Sequence, residues 1–306
     1  MPANNPRAAL FIVIGMALIT TNDAFFKHIS QDFGVGQIMF IRGLIICSIF
    51  FVFLRIKKLA AFGPRVFHKW NLIRAGFEVC ATFAFLSGLS MLPLATASTL
   101  AFSSPIFLAV FAYVFLREPV GLLRWAVILF GFFGVMLITN PFVDAFHWAV
   151  VLPVVCAVFV ALRDIAVRYV PAEISSMQVA FTHAWMVTLA GGLIMLLDGP
   201  KAVSLEWLPW FAMQAGALFC GYICYVVGTR ISELSYVGPF KYSSVLLAIL
   251  IGYFVWGEAP TMLMLVGAAV IVISGIMLLV GEKRQGRAPR DRIPDVDPNV
   301  RQGSAN

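Results

Sequence analysis

The sequence has 306 residues, of which 61% are hydrophobic and 12% are charged, and its formal net charge is +7 at pH 7. A soluble domain carries about 25% charged residues, so this composition excludes an ordinary soluble protein. Most of the Lys and Arg residues lie at the ends of hydrophobic runs, which favours a lipid bilayer over a nucleic acid as the partner of the positive charge.

Hydrophobic runs of about 20 residues recur along the chain, and each is long enough to cross a hydrocarbon core of about 30 Å as a helix. We therefore predict an all-α polytopic membrane protein with ten transmembrane helices. The predicted spans are 8–28, 35–54, 71–91, 95–116, 121–139, 148–169, 176–197, 207–230, 235–256 and 261–280. The segment 282–306 is polar and rich in Arg, Asp and Pro, and it is predicted to be a disordered cytoplasmic tail.

The distribution of positive charge orients these spans. With the N-terminus in the cytoplasm, 18 of the 22 Lys and Arg residues fall on the cytoplasmic side. Only Lys27 and Lys201 fall outside, and Arg42 and Lys241 lie within spans. The positive-inside rule therefore predicts that both termini are cytoplasmic.

The chain repeats itself with an offset of 140 or 141 residues. Two units are predicted, 8–139 and 148–281. The residue pairs that match between them include Asp23 and Asp164, Lys27 and Arg168, Arg42 and His183, Gln37 and Gln178, Ser103-Ser104 and Ser243-Ser244, and Glu118 and Glu258. Five spans per unit is an odd number, so the second unit must enter the membrane from the opposite side. Such inverted repeats are typical of secondary transporters, whose substrate sites lie near the membrane midplane between the repeats.

The repeated hairpins also carry a family resemblance. LATASTLAFSSPIFLAVFAYVFLREP and KYSSVLLAILIGYFVWGE, followed by GFFGVML and SGIML, resemble the drug/metabolite transporter superfamily in its ten-helix EamA type. NDAFFK and FIRGL are most similar to the subgroup of S-adenosylmethionine and riboflavin carriers. The resemblance covers residues 8–281. It implies a carrier of small metabolites in the bacterial inner membrane, with a cavity lined by spans 1, 3, 4, 6, 8 and 9.

Charged side chains within the spans are the first candidates for a functional site, because they are costly in lipid and usually face a partner or a wet cavity. They form two groups at matching repeat positions, Asp23 with Lys27 and Arg42, and Asp164 with Arg168 and His183. Asp23 and Lys27 are four residues apart, so they share a helix face and can pair. One hypothesis makes the two groups the outer and inner gates; the other makes each group an anchor between neighbouring helices.

Glu78 is a further intramembrane carboxylate, four residues after Arg74 in span 3. It is interpreted either as a proton-binding or amine-binding group in the cavity or as one half of a partly solvated ion pair. If protons are the coupling ion, Asp23, Asp164 and Glu78 are the carboxylates expected to carry them.

Lys241 lies in span 9 within GPFKYSS, where Pro239 removes a backbone hydrogen bond and loosens the helix. We predict that Lys241 contacts an anionic group of the substrate; the alternative is that its ammonium group reaches the nearby interface. Aromatic side chains are candidates for the cavity walls, where they would suit a flat substrate, although most aromatic residues in this chain must face lipid or packing neighbours. These candidates are Phe102, Tyr113, Tyr222, Tyr225, Tyr242 and Trp185.

No enzyme signature appears in the sequence. There is no GxxxxGK[ST] loop and no HExxH motif, and the five cysteines lack metal-ligand spacing. We therefore expect no cofactor, no metal and no catalysis. The sequence predicts secondary active transport of a small metabolite by alternating access, with an integral membrane scaffold or a lipid-handling protein as the alternative. It leaves the substrate, the direction of transport and a homodimeric assembly open.

Overall fold

The computed structural model describes residues 5–116, 122–139, 147–171, 173–231 and 238–284, and regular structure within these ranges is helical throughout. The helices are α1 (Asn5–Ile29), α2 (Val35–Ile56), α3 (Lys69–Met91), α4 (Leu94–Ala101), α5 (Ser104–Leu116), α6 (Leu122–Thr139), α7 (Val151–Ala166), α8 (Ser176–Asp198), α9 (Leu208–Ile231), α10 (Ser243–Trp256) and α11 (Met262–Arg284). Short 3₁₀ turns occupy Trp148–Val150, Val167–Tyr169, Leu205–Trp207 and Gly238–Tyr242. The chain therefore folds as a bundle of apolar helices.

Seven helical segments are long and apolar enough to cross a membrane. They are Pro6–Ile29, Val35–Ile56, Lys69–Met91, Leu94–Phe115, Trp148–Tyr169, Ser176–Asp198 and Leu205–Gly228. Three shorter apolar helices, Trp125–Ile138, Phe240–Trp256 and Met262–Ser274, occupy the positions of the fifth, ninth and tenth predicted spans. Arg117, Glu118 and Pro119 lie outside the described residues, as does 285–306. The last helix continues to Arg284, three residues into the segment predicted as a tail.

Helices at equivalent repeat positions pack against each other in opposite directions. The clearest pair is α2 with α8. Gln37, near the start of α2, exchanges two hydrogen bonds with the backbone of Lys201, just after α8, at 2.6 and 3.0 Å. Gln178, near the start of α8, donates to the carbonyl of Ala60, just after α2, at 2.9 Å. Gln37 and Gln178 occupy equivalent positions in the two repeats. A glutamine side-chain amide therefore bonds the two helices to each other at each end of this antiparallel pair.

Glycine residues allow several helix pairs that join one repeat to the other to approach to backbone distance. A methyl group at Gly15 in α1 would lie 3.0 Å from the carbonyl oxygen of Gly221 in α9. A methyl group at Gly267 in α11 would lie 2.8 Å from the carbonyl oxygen of Gly134 in α6. Small residues at such crossings maximise van der Waals contact between helices in lipid. The pairs α1–α9 and α6–α11 each join one repeat to the other.

The helix predicted over 95–116 is divided in the structure. It ends at Ala101 and restarts at Ser104, with Ser103 bonded back to Leu100 at 3.1 Å. Pro105 is the physical cause, because proline has no N–H to donate to the carbonyl four residues earlier. The equivalent position in the second repeat, Tyr242-Ser243, is where the 3₁₀ turn Gly238–Tyr242 becomes α10. The two positions come together in space, since Phe102 and Ser244 line the same cavity.

The crossing of α1 with α9 leads to a prediction about stability. Gly221→Ala should lower the free energy of unfolding by about 1–3 kcal/mol, because its methyl group would press on the backbone of α1. Gly216→Ala, on the same helix, is the control. Nothing lies within 4 Å of a methyl group there, so this variant should be neutral or more stable by up to about 1 kcal/mol. Unfolding of both variants in mixed detergent micelles measures the difference, and equal stabilities would contradict the close crossing.

Candidate functional site: a cavity at the broken helices

A cavity of about 70 Å³ lies where α4 and α10 meet α1 and α3. Its lining residues are Met16, Ile19, Thr20, Asp23, Phe85, Ser98, Ala101, Phe102 and Ser244. Water takes about 30 Å³ per molecule, so the cavity holds about two waters and is too small for an organic metabolite. Its walls come from both repeats, and the breaks in the helices bring Phe102 and Ser244 to it.

Several polar side chains around this cavity have no hydrogen-bond partner within the described ranges. Ser98 and Ser244 are lining residues of the cavity, each is no more than 5% exposed, and the hydroxyl of each is without a partner. The hydroxyls of Ser243 and Tyr242, at the break before α10, are also without a partner. A buried hydroxyl without a partner is destabilising, so a group of them around one cavity indicates a place where a ligand or water supplies the missing bonds.

Asp23 is the charged residue of the cavity wall. The side-chain amide of Asn22 donates to its carboxylate at 2.8 Å. Arg42, only 6% exposed in α2, acts on Asp23 through its charge, but no hydrogen bond or direct ion pair joins the two described side chains. Asp23 and Arg42 therefore lie close enough to interact through their charges, and Asp23 is one of the residues that line the cavity.

Lys27 lies apart from Asp23, which corrects the predicted pairing within α1. Its ammonium group pairs with the carboxylate of Glu258, between α10 and α11, and donates to the carbonyl of Leu92 at 2.9 Å. The second carboxylate oxygen of Glu258 accepts from the backbone N–H of Leu94, at the start of α4, at 3.0 Å. We call these four residues the Lys27 junction. It joins the end of α1 to the turns before α4 and before α11.

A second group of charges lies at the opposite end of the bundle, between α3, α7 and α8. Arg163 donates to both carboxylate oxygens of Glu78, at 2.9 and 2.8 Å, and also bonds Asp164 at 2.9 Å. Arg74 lies 3.9 Å from the Glu78 carboxylate and His183 lies 3.7 Å from it. We call these five residues the Glu78 cluster. It includes the predicted contact of Glu78 with Arg74, together with Arg163, one of the 18 cationic residues that the positive-inside rule places on the cytoplasmic side.

Lys241 and three of the predicted aromatic residues lie in the region of the cavity. The Lys241 ammonium group lies 4.9 Å from the centre of the Tyr225 ring. Tyr242 is buried, and its ring centre is 5.5 Å from that of Phe102, which lines the cavity. Lys241 therefore precedes the lining residue Ser244 by three positions, with its charge placed over an aromatic face.

The structure does not bring the other predicted residues to the cavity. Tyr113 in α5 is 45% exposed and packs edge-on against Trp125. Tyr222 packs against Phe50 between α9 and α2. Trp185 packs edge-on against Phe67 in the same region. Arg168 lies exposed in the turn Val167–Tyr169, four residues beyond Asp164.

Sequence reasoning missed Ser98 and Ser244 as site residues. Their hydroxyls become informative only when burial shows that they have no partner, and a sequence does not give burial at that detail. A signal for the site did exist in Pro105, which breaks the helix. Within the described residues, no group of His, Cys, Asp or Glu side chains is arranged to hold a metal ion.

The apolar helices, the two repeats and the polar cavity between them define a multi-pass helical membrane protein of the transporter class. The chain belongs to the EamA-like transporter family, whose family profile matches residues 6–140 and again 147–281. Both repeats are therefore copies of the same family unit, and the chain is a member of the drug/metabolite transporter superfamily.

Named relatives of the chain are transporters of small metabolites. It is 26% identical to a riboflavin transporter of Rhizobium johnstonii, over 76% of this chain and 78% of that protein. It is 22% identical to an S-adenosylmethionine uptake transporter of Rickettsia conorii, over 90% of this chain and 92% of that protein. A solved crystal structure aligns with a TM-score of 0.59 and 18% identity, over 92% of this chain and 99% of that chain, which supports the fold alone.

The Glu78 cluster leads to a second prediction. Glu78→Gln should lower the free energy of unfolding by about 1–3 kcal/mol, because Arg163 loses its two-point partner in a largely buried position. Asp164→Asn should cost less, because the Asp164 side chain is 43% exposed and water can replace it. Unfolding in detergent micelles checks the order of the two variants, and a larger loss for Asp164→Asn would contradict this account of the cluster.

Proposed function

We propose that the protein is a secondary transporter that moves a small polar or zwitterionic metabolite across the bacterial inner membrane by alternating access. The observation that carries the proposal is the central cavity. It lies beside the break between α4 and α5 and the 3₁₀ turn that begins α10 at the equivalent repeat position, and its lining includes Asp23 together with Ser98 and Ser244, whose hydroxyls are unpartnered. Broken helices at the midplane are a recurring way for transporters to place polar groups around a substrate.

The proposed topology is ten spans in two inverted units, with 8–139 and 148–281 as the repeats and both termini in the cytoplasm. The antiparallel packing of α2 with its equivalent α8 supports the inversion. The contacts at the two ends of the bundle agree with the predicted sides. The end assigned to the outside contains Lys27, Leu92, Glu258 and Lys201. The end assigned to the cytoplasm contains Arg74, Glu78 and Arg163.

The Lys27 junction and the Glu78 cluster are the proposed outer and inner gates. Each joins helices whose separation would open the cavity to one side, and each is held by ion pairs that water can replace when the helices part. In this structure both groups of contacts are formed and the cavity has room for about two waters. That combination is what the proposed mechanism requires of a closed state between the outward-open and inward-open states.

Asp23 is the favoured carboxylate for proton coupling. Glu78 and Asp164 both accept hydrogen bonds from the positively charged Arg163. Among the described residues, Asp23 accepts only from a neutral amide, and it is a lining residue of the cavity, so its protonation and the presence of substrate act on the same space. Lys241, three residues before the lining residue Ser244, stays a predicted contact for the anionic end of a zwitterion.

Purified protein in liposomes tests the transport proposal. A panel of labelled amino acids, nucleosides, riboflavin and S-adenosylmethionine should include at least one compound with saturable flux, accelerated by a pH gradient. Asp23→Asn should keep flux down the substrate gradient and lose the acceleration. Asp32→Asn, an exposed carboxylate at the same end of α1, should keep both. The absence of flux for the whole panel would contradict transport. Equal flux with and without a gradient would contradict proton coupling only.

A thiol-accessibility experiment tests the outer gate. Cysteine is placed at Ser98 after replacement of the five native cysteines, and a membrane-impermeant thiol reagent is added on the Lys27 side. Glu258→Gln should raise the labelling rate by about tenfold, because the charge-assisted bonds that close the junction are lost.

Lys201→Gln is the control for the outer gate. Lys201 lies at the same end, and its ammonium group donates to the carbonyl of Asp32 rather than to the junction, so the labelling rate should not change. An unchanged rate in Glu258→Gln would remove the junction from the gating mechanism.

A further inference from the structure

The loop that joins α2 to α3 carries a concentration of positive charge. Residues 55–77 contain no Asp or Glu. Within them five cationic side chains are exposed, and none of the five is paired with a carboxylate in the described part of the chain. They are Arg55, Lys57, Lys58, Arg65 and Lys69. We call residues 55–69 the basic loop. It lies at the end of the bundle that the positive-inside rule assigns to the cytoplasm.

The basic loop is fastened to the helix bundle beneath it. The side chain of Gln178, in α8, donates to the carbonyl of Ala60 at 2.9 Å. Asn71, in α3, donates to the carbonyl of Val66 at 2.8 Å and to the hydroxyl of Thr182, also in α8, at 3.0 Å. Val66 itself is buried. The exposed cations are therefore presented by a backbone whose position is set by α3 and α8.

Two aromatic rings lie among these charges. Phe62 is 53% exposed and Phe67 is 43% exposed. Their rings are stacked, with centres 6.3 Å apart and an angle of 20° between the planes. Each ring also contacts α8, where Phe62 lies 5.3 Å from the ring of Phe181 and Phe67 lies 6.2 Å from that of Trp185. A surface that combines Lys and Arg with exposed Phe is typical of segments that lie in the membrane interface.

The combination of cations and rings selects an anionic lipid as the partner. Lys and Arg beside a membrane attract anionic headgroups. A soluble phosphate would pair with the cations but would leave the rings of Phe62 and Phe67 in water. A phospholipid supplies a phosphate for the cations and an apolar region for the rings. The chain's own segment 285–306 contains four Arg and three Asp, so it has no excess of negative charge with which to cover the loop.

We propose that the basic loop binds the headgroups of anionic phospholipids in the leaflet on its side of the membrane, with the cations around the phosphates and the rings of Phe62 and Phe67 beneath them. This binding does not depend on what the protein transports or on whether it transports. A count of cations orients a chain in the membrane, whereas their arrangement around two rings on a fastened loop makes a binding surface. The loop leads into α3, which carries Glu78, and is bonded to α8, which carries His183, so bound lipid lies against helices that the Glu78 cluster joins.

Phospholipids that differ only in their headgroup test the proposal on the unaltered protein. Dioleoyl phosphatidylglycerol is anionic, and dioleoyl phosphatidylcholine, with the same chains, carries no net charge. Binding of each lipid to the full chain in a neutral detergent, measured by native mass spectrometry, should favour phosphatidylglycerol by at least about tenfold. Raised salt should reduce this preference, because exposed charges are screened. Equal binding of the two lipids, or a preference that salt does not change, would overturn the proposal.

Charge-matched double variants locate the site. Lys57→Gln with Lys69→Gln removes one exposed cation from each side of the loop and should lower the affinity for phosphatidylglycerol by about 10–30-fold. Arg7→Gln with Lys201→Gln removes two exposed cations outside the loop, so the net charge is the same and the affinity should stay within about twofold of the unaltered protein. Equal losses in the two double variants would contradict the placement of the site on the basic loop.

Two further probes separate the lipid from other anions. Glycerol phosphate has the headgroup chemistry without the chains, and a hexaglutamate peptide carries negative charge as an acidic protein segment would. Glycerol phosphate should compete with phosphatidylglycerol only at a concentration at least about tenfold higher, because it offers the rings no apolar surface. Competition at the same concentration would make the loop a site for soluble phosphates and overturn the lipid assignment. A peptide that binds more tightly than the lipid would overturn it in favour of an acidic protein.

Discussion

The close crossing of helices from different repeats is the constraint on which the rest of the structure depends. Lipid supplies no hydrophobic force between helices, so their association requires contact at backbone distance. The crossing of Gly15 with Gly221 and that of Gly134 with Gly267 provide it. Each crossing joins a helix of one repeat to a helix of the other, so neither repeat packs as a separate body. The interface between the repeats is consequently the framework of the whole bundle.

That framework leaves α4 and α10 free to be irregular. They meet at the centre, held by pairs of helices that are already tightly packed around them. The missing N–H of Pro105 interrupts the helix of the first repeat, and at the equivalent place in the second repeat a 3₁₀ turn begins α10. Irregular backbone at membrane depth is tolerated where it is enclosed by protein or lines a cavity. The position of the cavity therefore follows from where the helical geometry changes as much as from which side chains surround it.

Much of the fold is predictable from the sequence, and much of the site is not. Apolar runs of about 20 residues and an offset of 140 or 141 residues indicate membrane helices in two repeats, because hydrophobicity is a local property. The partner of Lys27 is not local: Glu258 lies 231 positions along the chain. Helical spacing favours Asp23 for Lys27, and tertiary contacts override it. The contact of Arg163 with Glu78 is likewise not local in the sequence. Arg163 lies at the end of a span, and its position alone does not indicate an ion pair with a side chain in a different helix.

The two ends of the molecule share a scaffold and differ in charge. With the repeat offset applied, Arg163 of the Glu78 cluster corresponds to Asn22, Arg74 corresponds to Gln214, and Glu78 corresponds to Leu218. The carboxylate itself is retained, as Asp164 in one repeat and Asp23 in the other. Asp164 therefore has an arginine beside it that neutralises it, whereas Asp23 has an amide that does not. The same backbone position carries an ion-paired carboxylate in one repeat and a carboxylate bonded to a neutral amide in the other. Under the proposed inversion, repeats with identical side chains would present the same groups to both sides of the membrane, so this difference would leave Asp23 to serve the cavity while Asp164 stabilises the bundle.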